Sequence, residues 1–233
     1  DKSLSAPRDP VFTMNAMYWK GEAQYRNEQY QDAYYTLQSF QKRDGATYNE
    51  NYNDSYYSLG YAALKIKRYK DAGSAFKSYI GKTNDNDPKV KADALARLGD
   101  CYFMQQDLKN AIKYYEQCEQ MNEFNCDYAI YQQSKCYGYQ KNNTKKIAAL
   151  ERLISTNPRT SYRDDADYDL AVTYHTQNDY VRAIAAYKEF IKNHPKSKYI
   201  RQAHTRLAQA YLNNGNTDMA ISTYKYVVET YPG

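Results

Sequence analysis

Two stretches near the end of the chain repeat one pattern. Residues 174–195 (YHTQNDYVRAIAAYKEFIKNHP) and 211–232 (YLNNGNTDMAISTYKYVVETYP) both begin with Tyr, share Ala-Ile and a later Tyr at the same places, and end with Pro. The copies lie 37 residues apart, and the segments before them, 162–174 and 199–211, match at the same offset. A unit that recurs at such an offset is one structural repeat, so the fold must be built by stacking copies.

The same unit is present along most of the chain, marked by a small residue followed twelve positions later by Ala. The marker pairs are Gly21 and Ala33, Gly60 and Ala72, Gly99 and Ala111, Ala171 and Ala183, and Ala208 and Ala220, with a weaker pair at Ser134 and Lys146. Apolar residues within each unit recur at i, i+3, i+4 and i+7, which is typical of amphipathic helices. Polar residues interrupt the pattern once per unit, so each unit is predicted to be two antiparallel helices.

These markers predict an all-α array of six helix pairs. The repeats are expected near 14–45, 53–84, 92–123, 127–158, 164–195 and 201–232. Residues 1–12 are then a separate N-terminal segment or the end of a preceding repeat. The last predicted helix, 217–230, keeps an apolar stripe, and terminal repeats need a polar cap. We therefore expect either capping residues beyond Gly233 or self-association through this end.

The repeated motif reads Leu-Gly/Ala-x-x-Tyr, then Tyr-x-x-Ala, then an aromatic residue and Pro. It is carried by Leu59-Gly60, Leu98-Gly99, Leu170-Ala171 and Leu207-Ala208, by Tyr30, Tyr69 and Tyr180, and by Phe76, Tyr115, Tyr187 and Tyr224. This pattern resembles the tetratricopeptide repeat (TPR), which implies a right-handed α-α superhelix. The last two repeats, with PKSKY at 195–199, are similar to bacterial envelope members of the outer-membrane assembly lipoprotein and Tol–Pal accessory types. That similarity favours the periplasm or cell envelope over the cytoplasm.

The composition argues against several other functions. The net charge of +5 is spread along the chain without a Lys/Arg run, so no nucleic-acid partner is predicted. No apolar run is long enough for a transmembrane segment. The three histidines are scattered and there is no C-x-x-C motif, so no catalytic residues, metal site or cofactor are predicted. We therefore expect a protein that is not an enzyme.

Two residue clusters allow more than one interpretation. The cysteines, Cys101, Cys118, Cys126 and Cys136, are expected to be buried thiols, with a disulfide from Cys118 to a neighbour as the alternative in an oxidising compartment. The acidic cluster of Asp164, Asp165, Asp167 and Asp169 lies at a predicted helix start. There it can stabilise the positive end of the helix, while acid–base chemistry or cation binding is the alternative.

The resemblance implies that the first helices of the repeats line a concave groove. Counting from the markers puts Tyr at one equivalent groove position in four of six repeats: Tyr18, Tyr57, Tyr131 and Tyr168. Other groove positions hold Tyr25, Tyr61, Tyr139 and His175. Tyrosine is favoured at binding sites, although these rings can also simply pack on adjacent helices.

The sequence thus predicts a non-catalytic protein–protein interaction scaffold that binds a partner segment in a Tyr-lined groove. The alternatives are a glycan-binding TPR scaffold and a purely structural spacer within a longer repeat protein. The chaperone-tail clamp of some family members is not predicted. That clamp needs Lys and Asn where this chain has Tyr18, Glu22, Ser58 and Asp93, and only Arg97 fits.

Overall fold

The computed structural model describes residues 10–82, 87–123 and 126–231. Within them the chain forms twelve α-helices and no β-strand, which confirms the predicted all-α fold of about six helix pairs. The pairs are α1 (Pro10–Arg26) and α2 (Tyr30–Gln41), α3 (Tyr52–Lys65) and α4 (Tyr69–Lys82), α5 (Pro88–Met104) and α6 (Leu108–Met121), α7 (Cys126–Tyr139) and α8 (Asn143–Thr156), α9 (Arg163–Thr176) and α10 (Tyr180–Asn193), and α11 (Ile200–Asn213) and α12 (Thr217–Thr230).

The helices group into two compact units, residues 1–126 and 127–233. The first unit contains α1–α6 and the second contains α7–α12.

Helices α1 and α5 are 17 residues long, against 14 for the other first helices, and both begin four residues before the predicted repeat start. In α5 this extra turn is stabilised by Asp87, whose side chain accepts from two backbone amides, and by Pro88 in the first turn. The repeat boundaries themselves remain a prediction.

One turn geometry joins the two helices in every pair. The seventh residue after each marker has a positive φ in the left-handed region: Glu28, Lys67, Gln106, Lys141, Asn178 and Gly215. The next residue directly precedes the second helix, and in three pairs it is an N-cap whose side chain accepts a backbone N–H of that helix, namely Asp107, Asn142 and Asp179. The turn is therefore set by backbone geometry and capping, because only the last copy uses glycine.

The small marker residues lie where the two helices of a pair cross. A Cβ atom built on Gly60 would meet the Phe76 ring at 2.7 Å, and one on Gly99 would meet the Tyr115 ring at 2.5 Å. Gly21 stands in the same relation to Leu37, at 2.7 Å. In each case the large partner lies 16 residues after the glycine and is fully buried. The marker is small because a bulky core side chain occupies the space that its own side chain would need.

The weaker fourth repeat also forms a helix pair. Its marker Ser134 is fully buried, and Leu150, 16 residues later, is fully buried as well. Lys146 replaces the usual Ala and extends its ammonium to within 3.8 Å of the Asp169 carboxylate on the next repeat. In this repeat Lys146 thus replaces a packing contact of Ala with an ion pair, and both helices still form.

We predict that Gly99→Ala destabilises the first unit by about 1–3 kcal/mol, because the new methyl group overlaps the buried ring of Tyr115. The matched control is Gly81→Ala, near the end of α4, where no side chain or distant backbone atom of the described residues lies within 4 Å of the added Cβ. That change should leave the protein unchanged or stabilise it by up to about 1 kcal/mol through helix propensity. Denaturant unfolding followed by circular dichroism measures both, and equal midpoints for Gly99→Ala and the parent would contradict the prediction.

Candidate functional site

In the first unit, two of the predicted groove tyrosines converge on one buried carboxylate. The hydroxyl of Tyr57 donates to Asp93 Oδ2 at 2.7 Å, and the hydroxyl of Tyr61 donates to the same oxygen. Asp93 belongs to α5 of the next repeat and is 5% exposed. Arg97 lies 3.4 Å from the other oxygen of Asp93 and also pairs with Asp100 at 2.5 Å. These tyrosines therefore connect neighbouring repeats through a charged hydrogen-bond network.

The other two candidates of this unit lie on α1. Tyr18 is 7% exposed and its ring contacts Trp19 and Phe40, at centroid distances of 5.0 and 6.0 Å. Tyr25 is half-buried, with its ring 5.3 Å from Tyr30 and 6.3 Å from Tyr61. The face of the first helices thus carries a continuous aromatic contact from Tyr25 through Tyr61 to Tyr57. Tyr18 is placed mainly in the core.

In the second unit, Tyr131 and Tyr168 each stack on a tyrosine of the following turn. Tyr131 stacks on Tyr162 at 5.3 Å and 19°, and Tyr168 stacks on Tyr199 at 4.5 Å and 1°. The two pairs are related by the 37-residue repeat. Parallel stacking of this kind adds to the free energy gained by burying the rings. The stacked rings again join one repeat to the next.

A hydrogen bond from a hydroxyl group to a carboxylate accompanies each stacked pair. Thr160 Oγ1 donates to Asp127 at 2.7 Å, and Ser197 Oγ donates to Asp164 at 2.5 Å, both across 33 residues. The same hydroxyls accept the backbone N–H of the stacking tyrosines, at 3.2 Å each. We call the stacked ring pair and its carboxylate-to-hydroxyl bond the inter-repeat tie. It fixes the turn that enters the next repeat.

The rest of the acidic cluster also makes local contacts. Asp165 accepts the Tyr199 hydroxyl and pairs with Lys198. Asp167 lies 2.7 Å from Arg163 Nε and 2.8 Å from His194 Nε2. Burial raises the pKa of Asp169, and Lys146 acts against that rise. Each carboxylate of the cluster therefore has a partner within the unit, which favours the structural interpretation over cation binding.

The last two candidates differ sharply in environment. Tyr139, at the end of α7, is 70% exposed. His175 on α9 is half-buried, with its ring edge-on to Tyr180 at 5.6 Å and to Tyr187 at 6.1 Å. Burial lowers the pKa of His175, and the nearby Arg206 guanidinium lowers it further. The charged imidazolium form of His175 is thus disfavoured.

The four cysteines are thiols, and Cys101, Cys118 and Cys136 are buried. Burial raises the pKa of Cys101 and that of Cys118 to about 12, so neither is a thiolate near neutral pH.

Among the described residues no group of three or more His, Cys, Asp or Glu side chains is placed to hold a metal ion. In the same part of the chain, no helix combines the length and apolar character needed to cross a bilayer.

Three residues important to these faces were not singled out from the sequence. Tyr162 and Tyr199 cover the predicted groove tyrosines, and Arg206 lies beside His175. The two tyrosines could have been found, since each follows a Pro-containing turn at the same place in its repeat. Arg206 is a single residue without a repeated pattern, so only the structure identifies it.

Comparison with family profiles then gives the class of protein. A tetratricopeptide repeat-like domain profile matches residues 104–230, and a tetratricopeptide repeat profile matches residues 21–90. The chain therefore belongs to the tetratricopeptide repeat family. Members of this family generally act as protein-interaction scaffolds without catalytic activity. A search of curated protein sequences returned no match.

Solved structures support the same fold. The C-terminal part of a TPR repeat-containing protein from Cytophaga hutchinsonii is 16% identical, with a TM-score of 0.74 over 91% of this chain and 78% of that one. A tetratricopeptide repeat protein from Parabacteroides merdae is 13% identical, with a TM-score of 0.67 over 93% and 79%. YrrB, described as a TPR protein with an unusual peptide-binding site, is 14% identical, with a TM-score of 0.61 over 78% and 89%. At these identities the likeness concerns the fold alone.

We predict that the protein loses stability above about pH 10, where an unfolded chain ionises its tyrosines. Burial raises the pKa of Tyr18 to about 12 and raises that of Tyr57, Tyr61 and Tyr131, and nearby carboxylates raise all four further. A pKa raised in the folded state favours the neutral phenol, so its stabilisation is complete below the unfolded pKa and is lost as the pH rises.

Tyrosinate absorbance and circular dichroism should be recorded in one alkaline titration. A fraction of the 29 tyrosines should ionise only as the helical signal disappears. The same titration in guanidinium chloride is the control and should give a single transition near pH 10. Complete ionisation near pH 10 with the helices intact would show that the prediction is wrong.

Proposed function

We propose that this protein is a non-catalytic scaffold that binds an extended segment of a partner protein along the concave groove formed by its first helices. The observation that carries this proposal is the aromatic face of the first unit, where Tyr25, Tyr61 and Tyr57 form a chain of ring contacts. These three rings are half-buried, so they keep an accessible edge while the rest of each ring is held by packing. Rings fixed in this way provide contact area at low entropic cost.

The ring geometry favours a peptide over a glycan as the ligand. Sugar recognition on tyrosine needs an open ring face. One face of Tyr168 is covered by Tyr199 at 4.5 Å, and the Tyr131 ring is contacted by Tyr162 and by the Lys135 ammonium at 4.9 Å. The hydroxyls of Tyr57 and Tyr61 are already bound to Asp93, so the remaining ring surface is what a partner can contact, and it suits the side chains of a peptide.

The similarity of YrrB in fold is consistent with peptide binding, since that protein is described as having a peptide-binding site.

We also propose a bacterial cell envelope as the setting, on the resemblance of the last two repeats to envelope members of the family. Pull-down from envelope and cytosolic extracts in parallel compares the two compartments.

Photocrosslinking tests the groove. A photoreactive phenylalanine analogue would replace Tyr25 or Tyr139, which lie on the first helices and are accessible, and Tyr48 as the control. Tyr48 is 94% exposed but lies in the short 3-10 helix between α2 and α3, outside the groove. We expect each groove position to crosslink a segment of a partner, identified by mass spectrometry, and Tyr48 to give no such product. Crosslinks of equal yield from Tyr48 would place binding elsewhere.

We propose in addition that α12 mediates weak self-association. Its outer face exposes Ile221 at 62% and Val228 at 74%, seven residues apart and therefore on one side of the helix. Exposed apolar residues aligned in this way are typical of an interaction surface, and a second copy of the same helix offers a matching one.

The expected result is an average mass by light scattering that rises with concentration for the parent protein. The variant Ile221→Lys/Val228→Lys should stay monomeric, because it places charge on that surface. Lys192→Glu, at an exposed position on α10, controls for a change in charge alone. A parent that remains monomeric over the whole range would rule out this mode of association.

A further inference from the structure

Two small residues of each first helix mark the side that packs on the preceding helix pair. They lie five residues before and two residues after the marker, seven apart and therefore on one side of the helix. We call these two positions the seam of the helix. In α3, α5, α9 and α11 the seam residues are at most 2% exposed: Ser55 and Ala62, Ala94 and Cys101, Ala166 and Thr173, and Ala203 and Ala210.

Contacts within the first unit give the register of the seam against the preceding second helix. Gln41, 20 residues after its marker, donates from Nε2 to the Ser55 hydroxyl at 3.0 Å. Gly73, 13 residues after its marker, faces Cys101, since a Cβ built on it would lie 3.4 Å from the Cβ of Cys101. Positions 13 and 20 of one repeat therefore meet the two seam residues of the next, in antiparallel order.

Helix α12 carries the second-helix side of this contact. In the preceding repeat, positions 13 and 20 hold Ile184 and Ile191 of α10, and both are half-buried against the core cluster to which α11 contributes. The same positions on α12 hold Ile221 and Val228, which are 62% and 74% exposed. Helix α12 thus presents two apolar side chains in the arrangement that α10 uses to pack on α11.

Helix α1 carries the first-helix side. Its seam residues are Ala16, which is half-buried, and Ala23, which is exposed, unlike their counterparts in α3, α5, α9 and α11. Trp19 lies between them on the same side of the helix and is 56% exposed. The equivalent residue of α9 is Asp169, which reaches back to Lys146 of the preceding repeat at 3.8 Å. The surface of α1 therefore has the form that elsewhere in the chain receives a second helix.

We propose that copies of this chain associate head to tail, with α12 of one copy packed on α1 of the next in the register that joins repeats within the chain. This inference rests on the self-association proposed for α12 and names the surface of the second copy that covers it. Ile221 then lies against Ala23 and Val228 against Ala16, with the Trp19 ring beside them. Large side chains pack closely against small ones, whereas a second α12 would bring its own large residues to the contact.

A contact between two different surfaces predicts growth beyond a dimer. Each added copy again offers an open α1 or α12, so assembly continues unless the copies close into a ring. Pairing of α12 with α12 uses one surface twice and stops at two copies. With a chain of 27.2 kDa, the average mass by light scattering should therefore exceed that of a dimer at high concentration.

The single tryptophan of the chain reports which surface is covered. Head-to-tail packing should shift the emission of Trp19 to shorter wavelength and reduce its quenching by acrylamide as the protein concentration rises. Pairing of α12 with α12 would leave both signals unchanged while the mass increases.

Two variants that each close one surface test the pairing directly. Ala23→Arg closes α1 and Ile221→Lys/Val228→Lys closes α12. Each variant alone should be monomeric, with a dissociation constant at least about tenfold above that of the parent, because an unpaired charge enters an apolar contact. An equimolar mixture should form a dimer and no larger species, since each variant keeps the surface that the other lacks.

The control is Ala185→Arg, the same change at an exposed position of α10, and it should associate like the parent. Three results would overturn the proposal: equal effects of Ala23→Arg and Ala185→Arg, a mixture of the two closed variants that stays monomeric, or Trp19 signals that stay constant as the mass rises. Each would remove the head-to-tail form. Failure of the self-association itself would appear separately, as a parent that is monomeric at every concentration.

Discussion

The close crossing of two helices within each repeat is the contact on which the other features depend. A glycine or another small residue on the first helix admits a large side chain from the second, 16 residues later, as Gly60 admits Phe76 and Gly99 admits Tyr115. This spacing fixes how deeply the helices pack, and hence which side of the first helix stays available. The same packing buries Tyr18 and Tyr131, whereas Tyr139 at the end of α7 stays exposed.

Tyrosine has two functions in this protein, and the structure separates them by atom. The rings take part in packing between repeats, while the hydroxyls reach carboxylates of the neighbouring repeat, as Tyr57 and Tyr61 reach Asp93. An aliphatic residue could provide the first function and not the second. A chain with 29 tyrosines can therefore bury large apolar area and still satisfy polar groups at the edges of its core.

Much of this organisation follows from sequence spacing, because helix periodicity and the small markers are local properties. The environment of each ring is not local. Tyr168 and Tyr139 were both counted as groove residues, yet one is stacked under Tyr199 and the other is 70% exposed. Tyr199 belongs to the turn that enters α11, so the environment of Tyr168 depends on the next repeat, whereas Tyr139 lies at the exposed end of α7.

The inter-repeat tie has a consequence for how such a chain can change in length. The tie of Asp127 with Thr160 recurs 37 residues later as that of Asp164 with Ser197, so each copy carries its own acceptor and the donor that closes it. A duplication of one whole repeat would copy both the acceptor and the donor of this contact. Gene duplication can therefore lengthen this array without inventing a new interface, whereas an insertion of any other length would separate acceptor from donor.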